Sequence, residues 1–289
     1  MISSNIKTKF PEWLRRRVPL ATTGDTSAIL KKYELHTVCN SAKCPNKSEC
    51  FSRKRATFLI MGNICTRQCR FCSVHQGVPE LPDPSEPQKI AKAVQELQLK
   101  HVVITSVTRD DLPAGGVNHF TNVVDEIKRH NQNVSIEVLI PDFGGNREAI
   151  KNIAGSQIDI LNHNVETVPR LYSSIRPQAE YLRSLDVLRF AKKCRSDLFV
   201  KAGLMVGVGE TDDEVFDVLG DLYDAGCDIV TIGQYLKPAD GKYEVQRYVR
   251  PVTFDVFKHY ALKLGFRFVS SGPYVRSSYN AEEVYASLS

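Results

Sequence analysis

The chain has 289 residues, 42% hydrophobic and 25% charged, with 38 Lys plus Arg against 33 Asp plus Glu for a net charge of +5. That balance suits an ordinary globular protein with one barrel-sized α/β domain or two small domains, and a core that needs no disulfide staples. No window approaches the roughly 18 consecutive apolar residues of a membrane helix, and the 17 Gly and 14 Pro are dispersed, which excludes collagen and low-complexity disorder.

The first residues, MISSNIKTKFPEWLRRR, carry no apolar stretch of secretory type and too little Ser and Arg for a transit peptide, so a reducing cytoplasm is the expected compartment. Arg15, Arg16 and Arg17 form the one tight basic run, expected to be solvated surface or else a docking patch for an acidic partner. The mild net charge predicts no nucleic-acid partner, and no membrane partner is expected.

From residue 56 the chain alternates strand and helix patterns. An apolar run at 56–62 has strand length, and 87–99 has helical apolar spacing. Strands are expected at 101–106, 134–140, 158–163, 198–205, 228–234 and 266–270. Helices are expected at 117–130, 146–153, 178–195, 211–225 and 253–264, the long third one starting just after Pro177. Nearly continuous apolar strands between amphipathic helices mean a parallel sheet covered by helices. About six such units fall short of the eight of a full barrel, so the expected fold is an α/β, partial (β/α)6 TIM-like barrel. It should span 56–270, with an N-terminal extension at 1–55 and a C-terminal tail at 271–289.

Six of the eight cysteines lie within residues 39 to 72. Cys39, Cys44 and Cys50 form C-x4-C-x5-C, and Cys65, Cys69 and Cys72 form C-x3-C-x2-C. Cys194 and Cys227 stand apart and are expected to be buried small hydrophobes. Structural zinc usually takes four N or S ligands, often from two C-x2-C knuckles. Here each group has three thiols and only one C-x2-C pair exists. Three thiolates suit a [4Fe–4S] cluster with one iron left for another ligand, although a zinc-braced loop remains an alternative for the first group. In a barrel of this kind chemistry sits at the C-terminal ends of the strands. Cys65, Cys69 and Cys72, then Thr105–Asp111, Asn162–Glu166 and Gly207–Glu210, all follow strands. Phe71 packs either near an adenine or in the loop core. His163 is either a satisfied barrel polar group or part of the site lining. Asp110 and Asp111 read as helix caps or site residues. Gly207 and Gly209 fit a close backbone approach to a ligand.

The C-x3-C-x2-C loop after the first strand resembles the radical S-adenosylmethionine superfamily. Together with the upstream triad and Arg276-Ser277-Ser278-Tyr279-Asn280-Ala281, it resembles the lipoyl synthase family over about residues 36 to 282. Thr108–Gly116, Asn162–Thr167 and Gly207–Glu210 add to that likeness. The superfamily's G-G-E pattern after strand two is replaced by Thr108-Arg109-Asp110-Asp111, so the amino-group contact has no assigned residue there.

The resemblance implies two [4Fe–4S] clusters and S-adenosylmethionine. One cluster, on Cys65, Cys69 and Cys72, would drive S-adenosylmethionine to a 5′-deoxyadenosyl radical. An auxiliary cluster on Cys39, Cys44, Cys50 and a serine would donate sulfur, with Ser278 the expected fourth ligand and Ser277 the close alternative. A hard oxygen in place of a thiolate makes that cluster easier to open. The implied reaction inserts two sulfur atoms at C6 and C8 of an octanoyl chain on a lysine of a lipoyl carrier domain. The implied partners are octanoylated carriers (dehydrogenase E2 subunits, glycine cleavage H protein) and an electron donor such as ferredoxin or flavodoxin. Asn162 and Glu166 are expected to meet cofactor hydroxyl or amino groups, and Arg176 a carboxylate. Rival readings are an RNA or protein methylthiotransferase and a non-catalytic iron–sulfur carrier. The first calls for a basic RNA-binding domain, which the sequence lacks, and the second needs neither a barrel nor an open iron.

Overall fold

The computed structural model describes residues 10–15, 24–238 and 242–288. Arg16 and Arg17 lie outside these, while Arg15 is exposed and its Nε donates to the Phe10 carbonyl at 3.2 Å.

Among the described residues nine strands follow in chain order: β1 (Thr57–Ile60), β2 (Ile64–Cys65), β3 (His75–Gln76), β4 (His101–Ser106), β5 (Ser135–Leu139), β6 (Ile160–Asn162), β7 (Phe199–Val206), β8 (Ile229–Gln234) and β9 (Phe268–Gly272). Seven of them form one all-parallel sheet in the order β1-β4-β5-β6-β7-β8-β9. Each strand pairs with the next one in the chain, with a helix between: Glu86–Leu97, Val117–His130, Arg147–Ala154, Tyr181–Cys194, Asp212–Asp224 and Pro251–Leu264. Among the described residues no ladder joins β9 back to β1. Six crossovers and an open seam make the partial (β/α)6 barrel that the alternation predicts.

The outer faces of the strands and the helices bury two apolar clusters. One gathers Phe58, Ile60, Ile104, Ile136 and Val138, and the other Val200, Ala202, Val230 and Ile232. Alternation then turns Thr57, Leu59, His101, Val103, Glu137, Asn162, Lys201 and Thr231 to the lumen. At the N-terminal ends of the strands, Ile160 and Ile229 pack with Val284 of a C-terminal helix, Ala281–Ala286, which plugs that end. Its Tyr285 stacks on His101 with ring centroids 5.6 Å apart. Residues between β9 and this helix run inside the barrel. A Cβ on Gly233 would collide with the Val275 carbonyl oxygen, so only glycine lets the tail pass there.

Three details differ from the sequence expectation. The helix after Pro177 begins at Tyr181, because Ala179 N closes a turn onto the Arg176 carbonyl and the Gln178 side chain is used elsewhere. Short helices at Gly24–Lys32, Val38–Ser41 and Lys47–Ser52 occupy the N-terminal extension. The two shorter ones, of four and six residues, are too brief to show an amphipathic period. Cys227 is buried as expected, but Cys194 is exposed, since it ends its helix beside Lys192 and Lys193.

Candidate functional site

Met61 and Gly62 take left-handed φ values of 62° and 86°, which turns the chain out of β1 into the cysteine loop. The fully buried Arg109 holds that turn by donating from Nη1 to the Met61 carbonyl at 3.1 Å, while Asp111 pairs with it at 2.8 Å. Cys65 lies in β2, and its carbonyl accepts from Gly77 N at 3.1 Å. Arg67, inside the C-x3-C spacing, donates through Nε and Nη2 to the Asp110 carboxylate at 2.7 and 2.8 Å and through Nη2 to Asp142 at 2.6 Å. Both Asp110 and Asp111 are therefore ion-pair partners and not helix caps. Backbone N–H groups of Gln68 and Arg70 donate to Gln178 Oε1 and the Ile175 carbonyl at 2.6 and 2.9 Å. The loop is thus anchored on four neighbouring segments, which leaves its thiols in a set position.

Cys65, Cys69 and Cys72 are all partly buried. Burial pushes the Cys72 thiol up to about 11, with Cys69 and Cys65 as neighbouring charges adding to the rise. Burial also raises the Cys69 thiol, against the pull of Arg176. Thiolates crowded this way need a cation to be stable, which is the demand an iron–sulfur cluster meets. Phe71 is partly buried against the second core cluster and reads as loop core.

Beside the loop, Glu166 takes φ 67° and accepts from Asn164 Nδ2 at 3.1 Å. Burial raises its carboxyl, with Arg176 opposing. Arg176 Nη1 donates to the Asn164 and Val165 carbonyls and the Tyr172 hydroxyl, at 3.1, 3.2 and 3.2 Å. Its Nε is buried with no hydrogen-bond partner. A raised carboxyl and an orphaned guanidinium N–H side by side suit the ammonium and carboxylate of an amino acid. Asn162 lies further inside. Its Nδ2 donates to Glu137 Oε1 at 2.8 Å and to Ser277 Oγ at 2.7 Å, which leaves Oδ1 without a partner. Gly207 lies tight against protein, because a Cβ there would strike Gln234 and the Arg247 carbonyl; its N–H and that of Val208 donate to the Glu210 carboxylate.

His163 is buried with Nδ1 at 2.8 Å from the Ile140 carbonyl and no partner for Nε2. Burial, then Arg176, lowers it from 6.5 to about 4. Between those values the unfolded chain takes up a proton that the folded chain refuses, so stability falls as pH drops through that window and is whole above it. His163→Gln is expected to flatten the decline in Tm between pH 6.5 and pH 4, and parallel curves for variant and parent would contradict this origin.

The second centre lies at the start of β1. Cys39, Cys44 and Cys50 line one cavity with Thr57, Arg276 and Ser278. Thr57 Oγ1 donates to Ser278 Oγ at 2.8 Å. Burial pushes Cys39 up to about 11 and Cys50 up to about 12, each raised further by neighbouring cysteines. Ser277 is directed elsewhere: it accepts from Asn162 and donates to Asn164 Oδ1 at 3.1 Å. Chain segments distant in sequence build this cavity. Thr37 bridges to Phe58, Asn46 Nδ2 donates to the Tyr274 carbonyl at 2.7 Å, and Arg55 pairs with Glu282 and Glu283 at 3.1 and 2.7 Å. The two triads share β1, since Cys65 and Cys72 pack on Leu59, two residues beyond Thr57 and about 7 Å along at roughly 3.3 Å per residue.

Sequence reasoning passed over Arg67, Arg109 and the fully buried pair Lys201–Glu137, whose Nζ lies 2.9 Å from both carboxylate oxygens. The signal was present: a lone Lys in FVKAGLMV and a lone Glu in SIEVL are charges in otherwise apolar or neutral strands.

The Radical SAM superfamily model matches residues 59–222. A lipoyl synthase of Caldicellulosiruptor saccharolyticus is 52% identical over 279 residues, covering 96% of this chain and 98% of that one. One from Nitratidesulfovibrio vulgaris is 50% identical over 287 residues, covering 99% and 96%. Among solved structures, methylornithine synthase superposes with a TM-score of 0.55 at 16% identity over 86% of this chain and 82% of that one, a likeness of fold. With its barrel, its two cysteine triads and relatives matched along nearly their whole length, the chain belongs to the lipoyl synthase family of the radical SAM superfamily.

Proposed function

We propose that the protein inserts two sulfur atoms, at C6 and C8, into an octanoyl group carried on a lysine of a lipoyl carrier domain. The observation that carries this reading is the pair of cysteine triads along one lumen strand, the second joined by Ser278 in its cavity. Cys65, Cys69 and Cys72 would hold one [4Fe–4S] cluster, and Cys39, Cys44, Cys50 and Ser278 would hold the auxiliary one. When bound, the first supplies the electron that cleaves S-adenosylmethionine to a carbon-centred radical, and the second supplies sulfide.

The chain's own residues bind, orient and exclude water. Glu166 and Arg176 hold the amino-acid end of S-adenosylmethionine. Asn162, with one free oxygen, accepts from a bound hydroxyl or amino group. The lumen walls bury the reacting carbons, so a radical there meets no solvent. Barrel residues 56–270 perform the radical step, while 1–55 and 271–289 carry the sulfur source. The carriers are dehydrogenase E2 subunits and the glycine cleavage H protein, and electrons come from a ferredoxin or flavodoxin. None of the eight cysteines is in a disulfide, which suits a reducing compartment such as the cytoplasm. Among the described residues no helix is long and apolar enough to cross a membrane.

Anaerobic reconstitution tests the two-cluster assignment. It should give about 8 iron per chain, and about 4 when either triad is changed to alanine. About 4 iron in the unaltered chain, or zinc in place of iron, would overturn it.

A further inference from the structure

A chain of hydrogen bonds runs along the lumen wall over β7, β5 and β6 to the serine tail. Lys201 of β7 and Glu137 of β5, both fully buried, form an ion pair over the intervening β6. His101 Nε2 lies 3.8 Å from the same carboxylate. Glu137 Oε1 also accepts from Asn162 Nδ2, whose other N–H donates to Ser277 Oγ. Ser277 donates in turn to Asn164 Oδ1, and Asn164 to Glu166. Ser277 is thereby gripped by two asparagines, and the next residue, Ser278, is left to face the thiols of Cys39, Cys44 and Cys50.

A buried ion pair is weak evidence for stability, because desolvation offsets most of its attraction. Its better-attested use is to specify one arrangement. Here it orients the Asn162 amide, since a charged acceptor fixes which face of that amide donates. We propose that Glu137 and Lys201 are positioning residues that act through Asn162 and Ser277 to hold Ser278 at the auxiliary thiols. This rests on the reading of Ser278 as the fourth ligand. Partners behind a metal ligand commonly change metal affinity about 10- to 100-fold when removed.

The test uses full-length chain in which Cys65, Cys69 and Cys72 are alanine, so that only the auxiliary site takes iron. After anaerobic reconstitution, the rate of iron loss to a chelator is followed, with Tm measured alongside. Ser278→Ala sets the rate for a lost ligand. Ser277→Ala and the charge-neutral double variant E137M/K201M, which keeps the volume filled, should each lose iron about tenfold faster than the parent, without a matching fall in Tm. Ser277→Thr, which keeps the hydroxyl, should restore the slow rate. If Ser278→Ala speeds the loss and neither Ser277→Ala nor the double variant does, the positioning role is wrong while the ligand stands. If Ser278→Ala itself changes nothing, the ligand assignment fails and the positioning role with it.

Discussion

Changing Cys65, Cys69 or Cys72 singly to alanine is expected to reduce the formation of 5′-deoxyadenosine to that of a protein-free control. Each thiol sits on a loop that Arg67, Gln68 and Arg70 tie to Asp110, Gln178 and Ile175 outside it, so the substitution deletes a sulfur and leaves the frame intact. Cys65 and Cys72 are only partly buried against Leu59, Val74 and Val107, so the packing cost is about 1 kcal/mol. A fold-wide effect would show as a large fall in Tm, and none is expected. Deoxyadenosine at the parent rate from any of the three variants would remove the loop from the radical step.

The triple change of Cys39, Cys44 and Cys50 to alanine is expected to separate the two halves of the reaction. S-adenosylmethionine cleavage should persist, and thiolated product should fall to zero. The contacts that anchor the cysteine loop, from Thr108, Asp110, Asp142, Ile175 and Gln178, involve no residue of the first triad. Two threads do connect the centres. Ser73 Oγ donates to the Ser41 carbonyl at 3.0 Å, and Ser277 reaches Glu166 through Asn164. A modest slowing of cleavage is therefore in keeping with the structure. Thiolated product from the triple variant would take the sulfur-donor role away from a cluster on these cysteines.

The βα alternation was legible because each strand is a short apolar run and each helix repeats its apolar face. The ranges at 101–106 and 117–130 coincide with His101–Ser106 and Val117–His130. The short helices at Val38–Ser41 and Lys47–Ser52 were not legible, because they are shaped by contacts with β1 and the C-terminal tail and by no period of their own. The cysteine triads could be read from spacing alone. The choice between Ser277 and Ser278 could not, since two adjacent serines differ only in what surrounds them: Asn162 and Asn164 for one, Thr57 and the thiol cavity for the other. Asn162 likewise reads as a ligand-facing amide in the sequence, yet its N–H groups are committed to Glu137 and Ser277 by residues far along the chain.

The mass of a short octanoyl-lysyl peptide reports sulfur insertion itself. Reconstituted protein, S-adenosylmethionine and a strong reductant are mixed with it without oxygen. The peptide is expected to gain two sulfurs and lose two hydrogens, passing through a one-sulfur intermediate. Deoxyadenosine formed beside an unchanged peptide would contradict the substrate, and an absence of both products from protein holding both clusters would contradict the radical chemistry itself.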